Sequence, residues 1–197
     1  MSDQEDSKIE EVKKGTAKRK EKVKVATCSL AGCFGCHMSF LDMDETLISL
    51  IEHIEFGRSP LTDIKDVIDC DVGLIEGGVC NTENVEVLRQ FRQQCKVLVS
   101  VGACAINGGV PALRNHFNVN DCLEEAYLNG VGIVDPQIPN DKELPRLLNK
   151  VQPIHEVVVI DYFLPGCPPP AEAFIEIINA LLENREPSLP LAERHFD

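Results

Sequence analysis

Val23 to Cys36 reads VKVATCSLAGCFGC, and this stretch decides the fold class. Its first half, Val23–Ser29, alternates in polarity and has β-branched character, so it reads as a strand. Its second half carries Gly32, Gly35 and a Cys-x-x-Cys made of Cys33 and Cys36. A strand that runs directly into a cysteine-bearing loop is the unit to look for in the rest of the chain.

The same unit recurs. Asp71–Glu76 (DVGLIE) reads as a short buried strand and runs into Glu76-Gly77-Gly78. Lys96–Val101 (KVLVSV) is an apolar strand that runs into Gly-Ala-Cys104. Glu156–Phe163 (EVVVIDYF) reads as the clearest strand and leads to Pro-Gly-Cys167-Pro-Pro-Pro. Helical periodicity lies between them. Phe40–Ile54 is apolar at Phe40, Leu41, Leu47, Leu50, Ile51 and Ile54. Glu83–Gln94 shows Val85, Leu88 and Phe91 on one face, with Asn81 or Thr82 placed to cap it. Ala171–Glu183 is the clearest helix, and Pro170 suits its first turn. Residues 105–150 are less regular, with short helices expected near 109–116 and 122–128.

Strands alternating with helices imply an α/β fold with a parallel sheet covered on both faces. In such sheets ligands bind outside the carboxyl ends of the strands. Three of the four expected strand ends deliver cysteine and the remaining one delivers Glu76. Residues 1–22 are charged and aperiodic and read as a flexible tail; 23–184 form the domain, and 185–197 read as a C-terminal tail.

The chain has 197 residues, 44% of them apolar, which suits one domain with a sizeable core. Its net charge of -13 repels phosphate backbones and anionic membrane surfaces, so neither nucleic acid nor membrane is an expected partner. No apolar run is long enough to span a bilayer, and the N-terminal stretch lacks the apolar segment of a secretory signal and an arginine pair. The expected location is the cytoplasm. There, nine cysteines read as metal ligands or core thiols rather than as a disulfide framework.

Four thiolates at one site suit zinc or an iron–sulfur cluster. Zinc sites in small folds usually use two local pairs, and here only Cys33 and Cys36 are a local pair, so the cluster is favoured. Gly32, Gly35, Gly102 and Gly166 let backbone approach sulfur closely, while Pro165 and Pro168 stiffen the Cys167 loop. A thioredoxin-like redox pair would leave Cys104 and Cys167 unexplained. Cys28, Cys70, Cys95 and Cys122 lie in or beside expected elements and read as buried thiols; Cys80, after the Glu76 turn, reads the same way with less support. Glu76 reads equally as a proton-relay group or as a partnered core carboxylate. His37 reads as a surface or interface residue, with a hydrogen bond to cluster sulfur as the sharper alternative. Asp42, Asp44 and Glu45 suit the N-terminal dipole of the helix expected there.

AGCFGCHMSFLD, LIEGG, SVGACAINGG and PGCPPP, in that order, resemble the cluster-binding half of nickel–iron hydrogenase small subunits. The resemblance spans roughly Val23 to Glu183. It implies a flavodoxin-like domain holding a proximal [4Fe-4S] cluster on Cys33, Cys36, Cys104 and Cys167, with Glu76 near a large partner subunit that carries the nickel–iron site. No cysteine follows Cys167, so one cluster is expected. This short form resembles the small subunit of cytoplasmic bidirectional NAD-reducing hydrogenases, whose diaphorase subunits carry flavin and Fe-S clusters and exchange electrons with NAD. A flavodoxin-like domain is also a place where FMN binds, but no phosphate-cradling motif stands out. Two alternatives stay open: the related cluster subunit of complex I-like quinone reductases, in which the first-site cysteines are typically adjacent, and a zinc-stabilised interaction module.

Overall fold

The computed structural model describes residues 22–191 and 194. The tail expected over 1–22 therefore lies outside the described residues except for Lys22, as do positions 192–193 and 195–197. In chain order the elements are β1 (Val23–Ser29), α1 (Gly35–Leu41), α2 (Glu45–Leu50), β2 (Ile54–Phe56), β3 (Cys70–Glu76), β4 (Val79–Asn81), α3 (Thr82–Gln94), β5 (Cys95–Val101), α4 (Gly102–Asn107), α5 (Val119–Tyr127), β6 (Leu147–Gln152), β7 (Tyr162–Leu164) and α6 (Ala171–Leu182). Val110–His116 and Ile154–Glu156 are 3-10 turns.

Five strands form one sheet in the order β2-β1-β3-β5-β7, every neighbour parallel. This is the doubly wound order of flavodoxin-like folds. It brings the ends of β1, β3, β5 and β7 to one rim, with Ser29 opposite Glu76 and Glu76 opposite Val101. The α/β expectation holds.

Each face of the sheet has its own core. On one face Phe40 of α1 and Phe174, Ile177 and Ile178 of α6 pack on Val25, Val72, Leu74 and Val99. On the other, Leu88 and Phe91 of α3 pack on Ala26, Cys28, Ile75 and Leu98. Leu88 and Phe91 are fully buried, and burial of such a side chain is worth about 1.5–3 kcal/mol. The α3 N-terminus is capped as expected, Asn84 N–H donating to the Asn81 side chain at 2.8 Å.

Three expectations are corrected. The helix expected over Phe40–Ile54 is two short helices and a strand. The chain turns at Asp44 (φ 47), and Ile54–Phe56 becomes the edge strand β2, unread in the sequence. Asp42 accordingly ends α1, while Asp44 and Glu45 open α2. The strand expected over Glu156–Phe163 shrinks to Tyr162–Leu164. The physical reason is Asp161: its carboxylate accepts from Leu98 N–H at 2.7 Å, and that side chain fills the ladder position before pairing begins at Val99 and Tyr162. Finally, β4 pairs antiparallel with β6 in a second, two-stranded sheet that the sequence did not suggest. Within the stretch read as a C-terminal tail, Leu189 is buried in the α6 core, and Arg185 forms a forked pair with Glu176 at 2.6 and 2.8 Å.

Candidate metal centre

Each of the four cysteines singled out lies just beyond a strand of the sheet. Cys33 and Cys36 follow β1, Cys104 is in the first turn of α4 after β5, and Cys167 follows β7. Their loops are tied together through the backbone. Ala31 and Gly78 exchange hydrogen bonds at 3.0 and 2.8 Å, joining the first cysteine loop to the turn after Glu76. Ala103 N–H donates to Gly166 O at 2.8 Å, joining the Cys104 and Cys167 loops. Ser39 Oγ donates to Pro169 O at 2.6 Å, joining α1 to the Cys167 loop.

Glycine makes the close approach possible. Gly102 has φ +78, and a Cβ there would collide with Cys36 Sγ. Gly109 has φ +48, and a Cβ there would lie 2.8 Å from Cys104 Sγ. Both positions require the left-handed region and space beside a thiol, which only glycine supplies without strain. The Cys167–Pro168 peptide is cis.

The electrostatics of the rim are negative. Burial pushes the Cys36 thiol well up, and Glu76, Cys104 and Cys33 push it further. Burial likewise raises Cys104; a hydrogen bond from Val110 opposes this, and Cys167, Cys33 and Glu76 add to it. No lysine or arginine is among the groups acting on either thiol. Thiols with no lysine or arginine acting on them suit a site whose positive charge comes from metal, because coordination deprotonates thiols outright. An iron–sulfur cluster takes each thiolate on a different iron, and four cysteines brought from three strand ends suit that arrangement. Cys33 and Cys167 are exposed, while Cys36 and Cys104 are half-buried, so the site faces outward on one side.

Glu76 is buried (3% exposed). Its Oε2 accepts from Cys36 N–H at 3.0 Å. His37 Nδ1 lies 2.9 Å from Oε1, though off the line of a good hydrogen bond, so Oε1 has no well-aligned donor. Burial on its own would raise the Glu76 carboxyl; interactions with His37, Ser29 and Cys36 outweigh it and hold the group below its ordinary value.

His37 corrects the sequence reading. It is buried, stacked on Phe34 at 4.7 Å, and both ring nitrogens are engaged, Nδ1 with Glu76 and Nε2 with Thr27 Oγ1 at 2.8 Å. It is neither a surface residue nor a donor to cluster sulfur. Thr27 and Ser59, which complete this buried chain, were missed by the sequence reading, since isolated polar residues in a strand and a loop carry no periodic signal. Of the remaining cysteines, Cys28, Cys70 and Cys95 are buried as expected, and Cys122 is only half-buried. Cys80 Sγ donates to Asn84 Oδ1 at 3.3 Å, away from the site.

A five-stranded parallel sheet with cysteines beyond its carboxyl rim belongs to the doubly wound class, and comparison with known proteins gives the family. Residues 33–181 match the family model described as NADH ubiquinone oxidoreductase, 20 Kd subunit, and the chain belongs to that family. It is 48% identical over 185 residues to the NAD-reducing hydrogenase HoxS subunit delta of Cupriavidus necator, covering 92% of this chain and 88% of that one. It is 39% identical over 175 residues to a subunit of the F420-non-reducing hydrogenase of Methanothermobacter marburgensis, covering 86% of this chain and 56% of that one. Among solved structures, a chain of an NAD+-reducing [NiFe]-hydrogenase in the H2-reduced state superposes with TM-score 0.88 at 53% identity, over 90% of this chain and all (100%) of that one. A NiFeSe hydrogenase from Desulfomicrobium baculatum, at 16% identity and TM-score 0.56, shares the fold over 88% of this chain and 69% of that one.

Proposed function

We propose that this chain is the electron-transferring small subunit of an NAD-reducing nickel–iron hydrogenase and holds one [4Fe-4S] cluster through Cys33, Cys36, Cys104 and Cys167. The observation that carries the reading is the convergence of four cysteines from three strand ends on one rim. The likeness to a hydrogenase subunit over nine-tenths of the chain supports it, and so favours the hydrogenase branch of the family over the quinone-reductase branch. When bound, such a cluster supplies one-electron transfer, with a potential set by hydrogen bonds, charge and exposure.

The chain's own residues do the rest. Four thiolates leave no ligand position open, which suits electron transfer rather than substrate activation. The glycines at 102 and 109 keep backbone and sulfur in close contact, and the cross-loop hydrogen bonds hold the loops in register. Glu76 is a buried carboxylate at the rim in contact with Cys36 and His37, which makes it the candidate relay group between this chain and a partner. Met38, Val110, Leu113 and Phe163 are large apolar residues exposed in or beside the segments that carry the cysteines, a surface suited to cover by a large subunit bearing the nickel–iron site. Diaphorase subunits carrying flavin and Fe-S clusters would pass the electrons to NAD. Among the described residues no helix is long and apolar enough to cross a membrane.

Cys36→Ser and Cys167→Ser are expected to abolish hydrogen-dependent NAD reduction in the assembled enzyme. Full retention of that activity in both variants would contradict the ligand assignment. Glu76→Gln is expected to slow hydrogen–deuterium exchange while the cluster's spectroscopic signal persists; unchanged exchange would remove Glu76 from the relay.

A further inference from the structure

A buried chain of polar contacts runs from a loop on the β2 side of the sheet to the cysteine rim. Leu61 N–H donates to Ser59 Oγ at 3.1 Å. Ser59 Oγ and Thr27 Oγ1 are 2.7 Å apart, and Thr27 Oγ1 is 2.8 Å from His37 Nε2. His37 Nδ1 faces Glu76 Oε1 at 2.9 Å, and Glu76 Oε2 accepts from the Cys36 amide at 3.0 Å. Ser59, Thr27, His37 and Glu76 are each at most 5% exposed.

A backbone N–H only donates and an ionised carboxylate only accepts. Leu61 N–H therefore uses the Ser59 oxygen as acceptor. With the His37 ring hydrogen on Nδ1, facing Glu76, Nε2 accepts from the Thr27 hydroxyl, and Thr27 in turn accepts from Ser59. The tautomer is assigned from this network and its carboxylate end, as histidine tautomers generally must be.

The anchor of this chain is rigid. Thr62 N–H donates to Ser59 O at 3.1 Å and its hydroxyl to Gly57 O at 3.0 Å. Thr27 N–H donates to Arg58 O at 2.8 Å, so the loop is stitched to β1 beside the Thr27 side chain itself. Glu76 is held by the Cys36 amide on Oε2, with the His37 ring packed 2.9 Å from Oε1, so the placement of that ring bears on the carboxylate.

We infer that Thr27 and Ser59 are positioning residues that lock His37 and thereby hold the Glu76 carboxylate on the Cys36 amide, setting the reduction potential of the cluster from a distance. The inference rests on the cluster assignment proposed above. With Glu76 in place, the Cys36 N–H is committed to a carboxylate and a negative charge sits beside the cluster, both of which lower its potential. Released, the amide becomes available to sulfur, and hydrogen bonds to cluster sulfur raise the potential. Loss of the lock should therefore raise it. Leaving a buried hydroxyl's partner unsatisfied is costly enough to make the rearrangement real.

The test is a redox titration by electron paramagnetic resonance on the full chain isolated anaerobically, with iron and sulfide counted per chain. Thr27→Val, which keeps shape and removes the hydroxyl, is expected to shift the midpoint potential upward and change the line shape, in the same sense as Glu76→Gln and by less. Ser59→Ala should give a smaller shift of the same sign, and Thr27→Ser should restore the wild-type signal. A wild-type potential and line shape in Thr27→Val, with Glu76→Gln shifted, would overturn the inference. A shift in Thr27→Ser as large as in Thr27→Val would also overturn it, by tracing the effect to packing. If Thr27→Val fails to fold, Ser59→Ala decides by the same criteria. Wild-type chain that carries zinc and no sulfide would instead contradict the cluster assignment beneath the inference.

Discussion

The two ends of the sheet use the same residue types to different effect. At the starting end, Cys70 and Cys95 open β3 and β5 directly opposite each other, both buried, with Cys70 Sγ 3.1 Å from Val72 O. Lys24 and Lys96 pair there with Asp69 and Asp71, and these groups line a cavity of about 810 Å³. At the finishing end, four cysteines lie in the loops and first helical turns beyond the strands, with glycines at positive φ against the Cys36 and Cys104 sulfurs and no basic group acting on either thiol. A cysteine inside the ladder is held by its neighbours as a small hydrophobe; one just past the strand end is free to face outward as a ligand. Cavity size misleads here, because the large space belongs to the end already furnished with ion pairs.

Substitutions at the two ends should separate binding from stability. Gly102→Ala has the largest expected effect, near-complete loss of bound iron, since its Cβ would displace Cys36 Sγ at a φ that alanine tolerates poorly. Iron analysis of the purified variant checks this; wild-type iron content would break the claim that the glycine cradle shapes the site. Gly73→Ala, in mid-strand, should leave iron unchanged and destabilise the fold by about 1–3 kcal/mol, because its Cβ meets Leu98 at 2.5 Å and Cys95 Sγ at 3.0 Å. Denaturant unfolding is the measurement, and iron loss without destabilisation would contradict the division between ends.

Smaller effects sharpen the same contrast. Cys95→Ala should keep full iron content and cost about 1 kcal/mol, as expected for a buried thiol exchanged for a smaller apolar group. Removal of the Asp71–Lys96 pair by Lys96→Ala should cost less still, about 0.2–1 kcal/mol, because the pair is largely exposed. Burial opposes ionisation of Asp71, and hydrogen bonds from Lys96 and the Lys24 amide outweigh it, so its carboxyl sits below the ordinary 3.8. The pair's stabilisation is then fully present above pH 3.8 and fades as pH falls through the lowered value. Wild-type and Lys96→Ala unfolding curves should converge in acid; a gap that widens there would reverse the sign of this reading.

Much of this division was legible in the sequence. β1 was read at its observed bounds, and β3, β5, α3 and α6 within one residue, because each carries a clean apolar pattern ended by Gly, Pro or a capping Asn. The doubly wound rim then located the cysteines from pattern alone. Other features depend on contacts that a linear pattern does not record. The apolar run Val157–Ile160 pairs with no strand, since Asp161 takes the ladder position on β5. β2 is three residues long, too short to show alternation. His37, Thr27 and Ser59 are brought together across 10 and 32 positions, and only tertiary packing shows that the histidine beside the site is buried and spoken for.

The central claim, that the rim of this sheet holds an iron–sulfur cluster, is tested most directly by counting iron, acid-labile sulfide and zinc per chain on anaerobically prepared protein. The account predicts about four irons and about four sulfides with no zinc, as for a cubane on four cysteines. One zinc and no sulfide would contradict it.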